Sequence, residues 1–257
     1  MITGLERFRD HFLDYANQYV LIGGVAAMQW LDEADLNPRV TKDFDIVLLI
    51  ENIDAPFLIR FWEFVKAGEY NNLKRSTGES VYYRFTAPQG DYPSMLEIFS
   101  RPPEGLQLWG EPEIIPLPAD DDASSLSAIL MDKDYYGIVR ANRRDHEGLP
   151  LLSPQGLILL KARAFLDLSA RKAAGANVDE KQIKKHRNDL FKLALLLTAN
   201  QEMKIPKAVH ADLQALLQAF PLGAPEWVSI CQASGLGGSM LAPAAVLEVL
   251  TEGFRSA

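Results

Sequence analysis

Residues 19–50 constrain this chain more than any other stretch. Tyr19–Ile22 is a short apolar run of the kind that forms a buried strand, and Gly23-Gly24 interrupts it. Residues 25–31 then read as a helix whose small side chains, Ala26 and Ala27, allow close packing. Where a strand feeds a helix start through two glycines, backbone N–H groups and the positive end of the helix dipole favour an anion such as phosphate. After a polar gap, residues 44–50 are apolar and β-branched enough for a central strand, with Asp43 and Asp45 at its leading end. Residues two apart on a strand project from one face, roughly 6–7 Å apart along the chain. Two carboxylates so placed repel each other unless a cation lies between them. Oxygen-only ligands suit Mg²⁺, which keeps several waters and also binds substrate phosphates. A phosphate cradle beside an acid pair implies chemistry on a nucleotide.

Gly-Gly, a following helix and Asp-x-Asp opening the next strand resemble the nucleotidyltransferase superfamily, the DNA polymerase β-like fold. Gly-Gly-x-Ala followed by Arg-x-Thr-x-Asp-x-Asp is more closely similar to the AbiEii-type toxin nucleotidyltransferases; the residues here are Gly23, Gly24, Ala26, Arg39, Thr41, Asp43 and Asp45. Many superfamily members carry Gly-Ser in place of Gly-Gly, so this chain leaves phosphate binding to backbone amides. The resemblance implies an α+β fold: a mixed β-sheet domain with flanking helices over residues 1–150, then a mostly helical C-terminal domain over residues 151–257. It further implies two Mg²⁺ ions and a nucleoside triphosphate as substrate. Gly23, Gly24, Arg39 and Thr41 would contact the nucleotide.

The rest of the chain adds candidates. Residues 5–16 read as an amphipathic helix with Leu5, Phe8, Phe12 and Tyr15 on one stripe. Asp54 caps a helix running to about Gly68, and residues 80–86 and 95–99 read as strands. Glu97 is the lone charge in Met-Leu-Glu-Ile-Phe. Such a residue is commonly the solvent-facing position of an edge strand; the resemblance instead implies the third carboxylate, a proton acceptor or second metal ligand. Arg84 reads equally as a cleft residue or an exposed strand arginine. Residues 101–150 form a proline- and aspartate-rich connector in which Asp120-Asp121-Asp122 reads as a solvated loop, and residues 135–139 and 149–152 as extra strands. Ser153-Pro154 opens a helix on which Lys161 lies among Leu157, Leu160, Ala164, Phe165 and Leu168. A lysine there either snorkels to water or, as the resemblance implies, reaches the nucleotide phosphates or the metal carboxylates. Asn177 and Glu180 have capping-box spacing for the next helix. Its Lys185-His186-Arg187-Asn188-Asp189-Leu190 resembles the family's signature of a lysine and an aspartate one turn apart. At that spacing Lys185 and Asp189 also suit a surface ion pair. Lys181, Lys184, Lys185, Arg187 and Lys192 read as a basic cluster, either a solvated face or a guide for a triphosphate or RNA. Short helices are expected beyond residue 210, and the glycine-rich run from Ser234 to Ser239 reads as a turn.

Composition bounds the function. At 257 residues and a net charge of −8, the whole surface is no nucleic-acid magnet, so an RNA acceptor needs a local basic patch. A lone cysteine, Cys231, excludes an internal disulfide and a cysteine-rich zinc site. The charged start, Glu6 to Asp10, and the lack of a long apolar run predict a cytoplasmic protein without a membrane partner. Three functions stay open: a toxin-like enzyme modifying RNA or protein and held by an antitoxin, a small-molecule nucleotidyltransferase of the antibiotic-modifying kind, and a catalytically silent nucleotide- or protein-binding relative.

Overall fold

A computed structural model describes residues 2–77, 80–100, 115–116, 126, 129–130, 132–198, 201–234 and 242–257. The fold is α+β. The chain divides into two compact units, one of Met1–Met28, Arg39–Asp120 and Val139–Leu152, the other of Gln29–Pro38, Asp121–Ile138 and Ser153–Ala257. Among the described residues, no helix is long and apolar enough to cross a membrane.

The first unit is built on a mixed sheet. In chain order its elements are α1 (Leu5–Phe12), β1 (Tyr19–Ile22), the start of α2 (Gly23–Glu33), β2 (Asp43–Leu48), α3 (Ala55–Ala67), β3 (Asn71–Thr77), β4 (Ser80–Thr86), β5 (Met95–Ser100) and β6 (Ile115–Pro116). After α4 (Lys133–Ala141) come β7 (Arg143–His146) and β8 (Leu149–Leu152), and the sheet order is β6-β3-β4-β5-β2-β1-β8-β7. β2 runs antiparallel to β1 and parallel to β5, and β8 runs parallel to β1. Alternation sorts the side chains: Tyr19, Leu21, Phe44, Ile46, Tyr83, Phe85, Leu96 and Ile98 fall on one face, and Asp43, Asp45, Arg84 and Glu97 on the other. The first face is covered by aromatic side chains from α1 and α3. Phe8 meets Tyr19, Phe44 and Phe64 at 5.4–5.6 Å between ring centres, and Phe61 meets Phe85 at 5.5 Å. Rings of this size dominate core energetics, so the aromatic face is what holds the unit's layers together. Asp54 starts α3 as expected, its carboxylate accepting from the Phe57 N–H at 2.9 Å.

The second unit is mostly helical. It holds α5 (Pro154–Ala173), α6 (Glu180–Leu193), α7 (Lys207–Ala219), α8 (Glu226–Ala233) and α9 (Pro243–Glu252), with a two-stranded parallel sheet of β9 (Met203–Ile205) and β10 (Phe254–Ser256). Ser153 caps α5 through the Gly156 N–H, with Pro154 in the first turn. Phe191 packs on Phe220 and Trp227 at 5.2 and 4.8 Å, joining α6, α7 and α8.

Three expectations change. Residues 135–139 lie in a helix, not a strand: Asp132 accepts from the N–H groups of Asp134 and Tyr135, which caps α4. The cap of α6 is Asp179, which accepts from the Lys181 N–H, rather than Asn177. The basic residues of α6 share no solvated face, because Arg187 and Lys192 are buried while Lys181 and Lys184 are exposed. The aspartates Asp120–Asp122 and the glycine-rich run directly after Ser234 lie outside the described residues.

One core group has a measurable consequence. The Tyr19 hydroxyl is buried and meets no hydrogen-bond partner among the described residues. Burial, reinforced by Asp145 and opposed by Arg143, pushes its ionisation above the ordinary tyrosine range. A polar group buried without a partner costs about 1–3 kcal/mol. Tyr19→Phe therefore raises the urea midpoint, by about 1 kcal/mol of stability; a lower midpoint shows that the hydroxyl is satisfied.

Candidate functional site

The strand–turn–helix at residues 19–33 and the start of β2 meet closely. Gly23 follows β1 directly with φ of +62°, the left-handed region that favours glycine. A Cβ there would overlap the Asp45 carboxylate, its Cγ lying 2.7 Å away. Gly24, in the first turn of α2, is also tight: a Cβ would lie 2.7 Å from Thr41 Oγ1. Both glycines are thus required by close approach, one to an acid and one to a buried hydroxyl. The first-turn amides of a helix have no intrahelical partners, so the Asp45 carboxylate lies beside a turn rich in donors.

Asp43 and Asp45 are half-buried and share a face of β2. Glu97 on β5 is in register with Asp45, and Arg84 on β4 is in register with Glu97, so all three lie in one row across three strands. Adjacent strands are about 4.8 Å apart. The Glu97 Oε1 accepts from Arg84 Nη2 at 2.6 Å and from Arg84 Nε at 2.7 Å, in surroundings that leave the two side chains only 10% and 15% exposed. Arg84 is accordingly neither an exposed strand arginine nor remote from the acids. Its partner is not legible in the sequence, since strand register is not encoded locally. Arg39 is exposed, and its Nη1 donates to the Val40 carbonyl at 3.3 Å; Thr41 is buried.

In the second unit, Lys161 is buried on α5 and its Nζ donates to Asp189 Oδ2 on α6 at 2.8 Å. It neither snorkels nor stands alone on the apolar stripe. Lys192, one turn beyond Asp189, is also buried and donates to the Asn37 carbonyl at 2.7 Å. Burial holds its ammonium below the usual lysine range, and Asp189 opposes that shift. Lys185 is half-buried on the same helix.

An all-oxygen pair, Asp43 and Asp45, beside a glycine turn that admits no side chain, fits Mg²⁺, which takes one or two carboxylates and completes its shell with water and phosphate. Among the described residues, no three His, Cys, Asp or Glu side chains converge as a protein-only metal cage. No family model matches the chain, and no curated protein matches it. The chain is similar to a solved structure of an antigenic nucleotidyltransferase-like protein from Paracoccidioides brasiliensis. The TM-score is 0.41 and the identity 14%, over 91% of this chain and 95% of that chain. At that distance the likeness assigns neither activity nor site residues.

Gly23→Ala strains a positive-φ position and displaces Asp45, so it lowers stability by about 2 kcal/mol in denaturant unfolding. An unchanged midpoint contradicts the close approach. Asp189→Ala leaves Lys161 buried without its carboxylate and costs about 3–5 kcal/mol, whereas the double change Lys161→Met with Asp189→Leu recovers most of that loss. If the double change is as unstable as the single one, the pair is not what the cost reports.

Proposed function

We propose that this protein is an Mg²⁺-dependent nucleotidyltransferase, moving a nucleoside monophosphate from a triphosphate to a hydroxyl acceptor. The observation that carries the reading is the contact of the Gly23 turn with the Asp45 carboxylate. It sets the start of a helix, whose amides suit phosphate, beside carboxylate oxygens that suit a metal.

In this reading, Gly23 and Gly24 amides hold triphosphate oxygens at the start of α2, where the helix dipole favours negative charge. Asp43 and Asp45 hold Mg²⁺. When bound, the ion neutralises triphosphate charge and polarises the phosphoryl oxygen. Thr41 fixes the turn by filling the space over Gly24. The acceptor oxygen forms a bond to the α-phosphorus while the bond to the bridging oxygen breaks, pyrophosphate leaves, and the hydroxyl proton passes to a carboxylate or to water. The protein's contribution is positioning and fixed charge. The motif resemblance assigns Glu97 to proton transfer or a second metal, Lys161 to the phosphates or the metal carboxylates, and Lys185 and Asp189 to the nucleotide. Their part in transfer is measured separately, with Lys161→Met and Asp189→Leu combined so that no buried charge is stranded.

The acceptor is an RNA, a protein or a small molecule bearing a hydroxyl. The similarity of the Arg39–Asp45 motif to AbiEii-type enzymes supports the toxin member of a toxin–antitoxin pair, with an antitoxin protein as partner. A second reading, nucleotide binding without turnover, is favoured by one observation: the Glu97 carboxylate is already engaged by Arg84.

Incubation with each labelled nucleoside triphosphate, Mg²⁺ and total cell extract separates these. Transfer of label onto an acceptor is expected, with Asp43→Ala or Asp45→Ala lowering it about a thousandfold or more, the several kcal/mol that a metal supplies. Transfer retained by both folded variants refutes the assignment, and binding without transfer by the natural chain selects the silent reading.

A further inference from the structure

We infer that Arg84 stands in for a second metal ion, so that the acid row of the first unit takes a single divalent cation, at Asp43 and Asp45. The inference rests on the reading of that aspartate pair as a metal site and deepens it. A two-ion arrangement needs Glu97 as a ligand whose negative charge is matched by the second ion. Here that charge is already matched. The guanidinium of Arg84 places both Nε and Nη2 within 2.7 Å of the same oxygen, Oε1, with both side chains largely shielded from water. An arginine is charged at every accessible pH, so this cation cannot be lost by titration.

Position and charge agree. Register sets Arg84, Glu97 and Asp45 across three neighbouring strands on one face, with Glu97 in the middle. One of its oxygens, Oε1, is held by both Arg84 donors. Moving it toward a cation at Asp45 would break that shielded pair, which is strongly unfavourable. A dication set beside Glu97 would also meet the positive charge of Arg84, a repulsion little screened where water is excluded. The fixed arginine thus keeps Glu97 matched without a second metal being recruited.

The test counts Mn²⁺ bound to the full chain, added alone, from the loss of the free-ion electron paramagnetic resonance signal. One ion is expected on the natural chain and one on Glu97→Gln, since Glu97 is not a ligand. None is expected on the double variant Asp43→Asn with Asp45→Asn. Arg84→Gln removes the cation that matches Glu97 and is expected to bind two ions, returning to one when Glu97→Gln is added. Two ions on the natural chain, loss of the ion in Glu97→Gln, or a single ion on folded Arg84→Gln each overturns the inference and leaves the aspartate pair as a metal site. No ion on the natural chain overturns the reading of the pair itself. Circular dichroism reports whether Arg84→Gln folds; if it does not, the counts on the natural chain and on Glu97→Gln decide.

Discussion

The space that a side chain at position 23 would fill is taken by the carboxylate of Asp45. Much else in the first unit follows from that one exclusion. The chain must turn from β1 into α2 without a Cβ, and it does so at positive φ, a region that costs glycine little and other residues more. The helix then begins with its amide donors beside an acid, an arrangement in which the positive helix end offsets the carboxylate's charge. Thr41 presses on Gly24 in the same way, so the segment leading into β2 is held against the helix start at two successive residues.

The other constraint is alternation. A strand with a period of two cannot put Phe44 in the aromatic layer without sending Asp43 and Asp45 to the opposite face. The same holds on β4 and β5, where Phe85, Leu96 and Ile98 are core and Arg84 and Glu97 face the other way. Phe8, Phe12, Phe61 and Phe64 therefore do more than fill volume, because by fixing which face is buried they fix which face carries the acids.

This division explains what could be read from the chain alone. The apolar run at Tyr19–Ile22, the glycine pair and the Asp-x-Asp start of β2 are local patterns, and each appears where periodicity puts it. The caps at Asp54 and Ser153 are local as well. Glu97 beside Asp45 is a matter of register between segments fifty residues apart, and nothing nearby in sequence encodes it. The pairing of β9 with β10 is equally remote. β7 was hidden for a different reason: Arg-Arg-Asp-His carries no hydrophobic alternation. It pairs with β8 through Glu147-Gly148, both at positive φ, a tight hairpin turn whose usual sequence sign is Asn-Gly or Asp-Gly. The residues 135–139 misled because Tyr-Tyr-x-Ile-Val suits either a strand or one face of a helix, and the Asp132 cap decides for the helix.

Lys161 and Arg84 show how differently a shielded cation can be held. Replacing a shielded ion pair with apolar residues of similar volume is often neutral or stabilising, so stability alone does not account for either pair. Lys161 lies on an apolar helix face with Asp189 as its carboxylate, and Lys192 close by donates to a backbone carbonyl; these are flexible ammonium groups, and burial already depresses that of Lys192. Arg84 is unlike them in chemistry and in company. Its planar guanidinium keeps its charge whatever surrounds it, and it is aimed at the one carboxylate in register with the aspartate against the glycine turn. A lysine in its place would offer a compact charge that burial can neutralise. Only the arginine guarantees that Glu97 stays matched while the electrostatics of the neighbouring aspartates change.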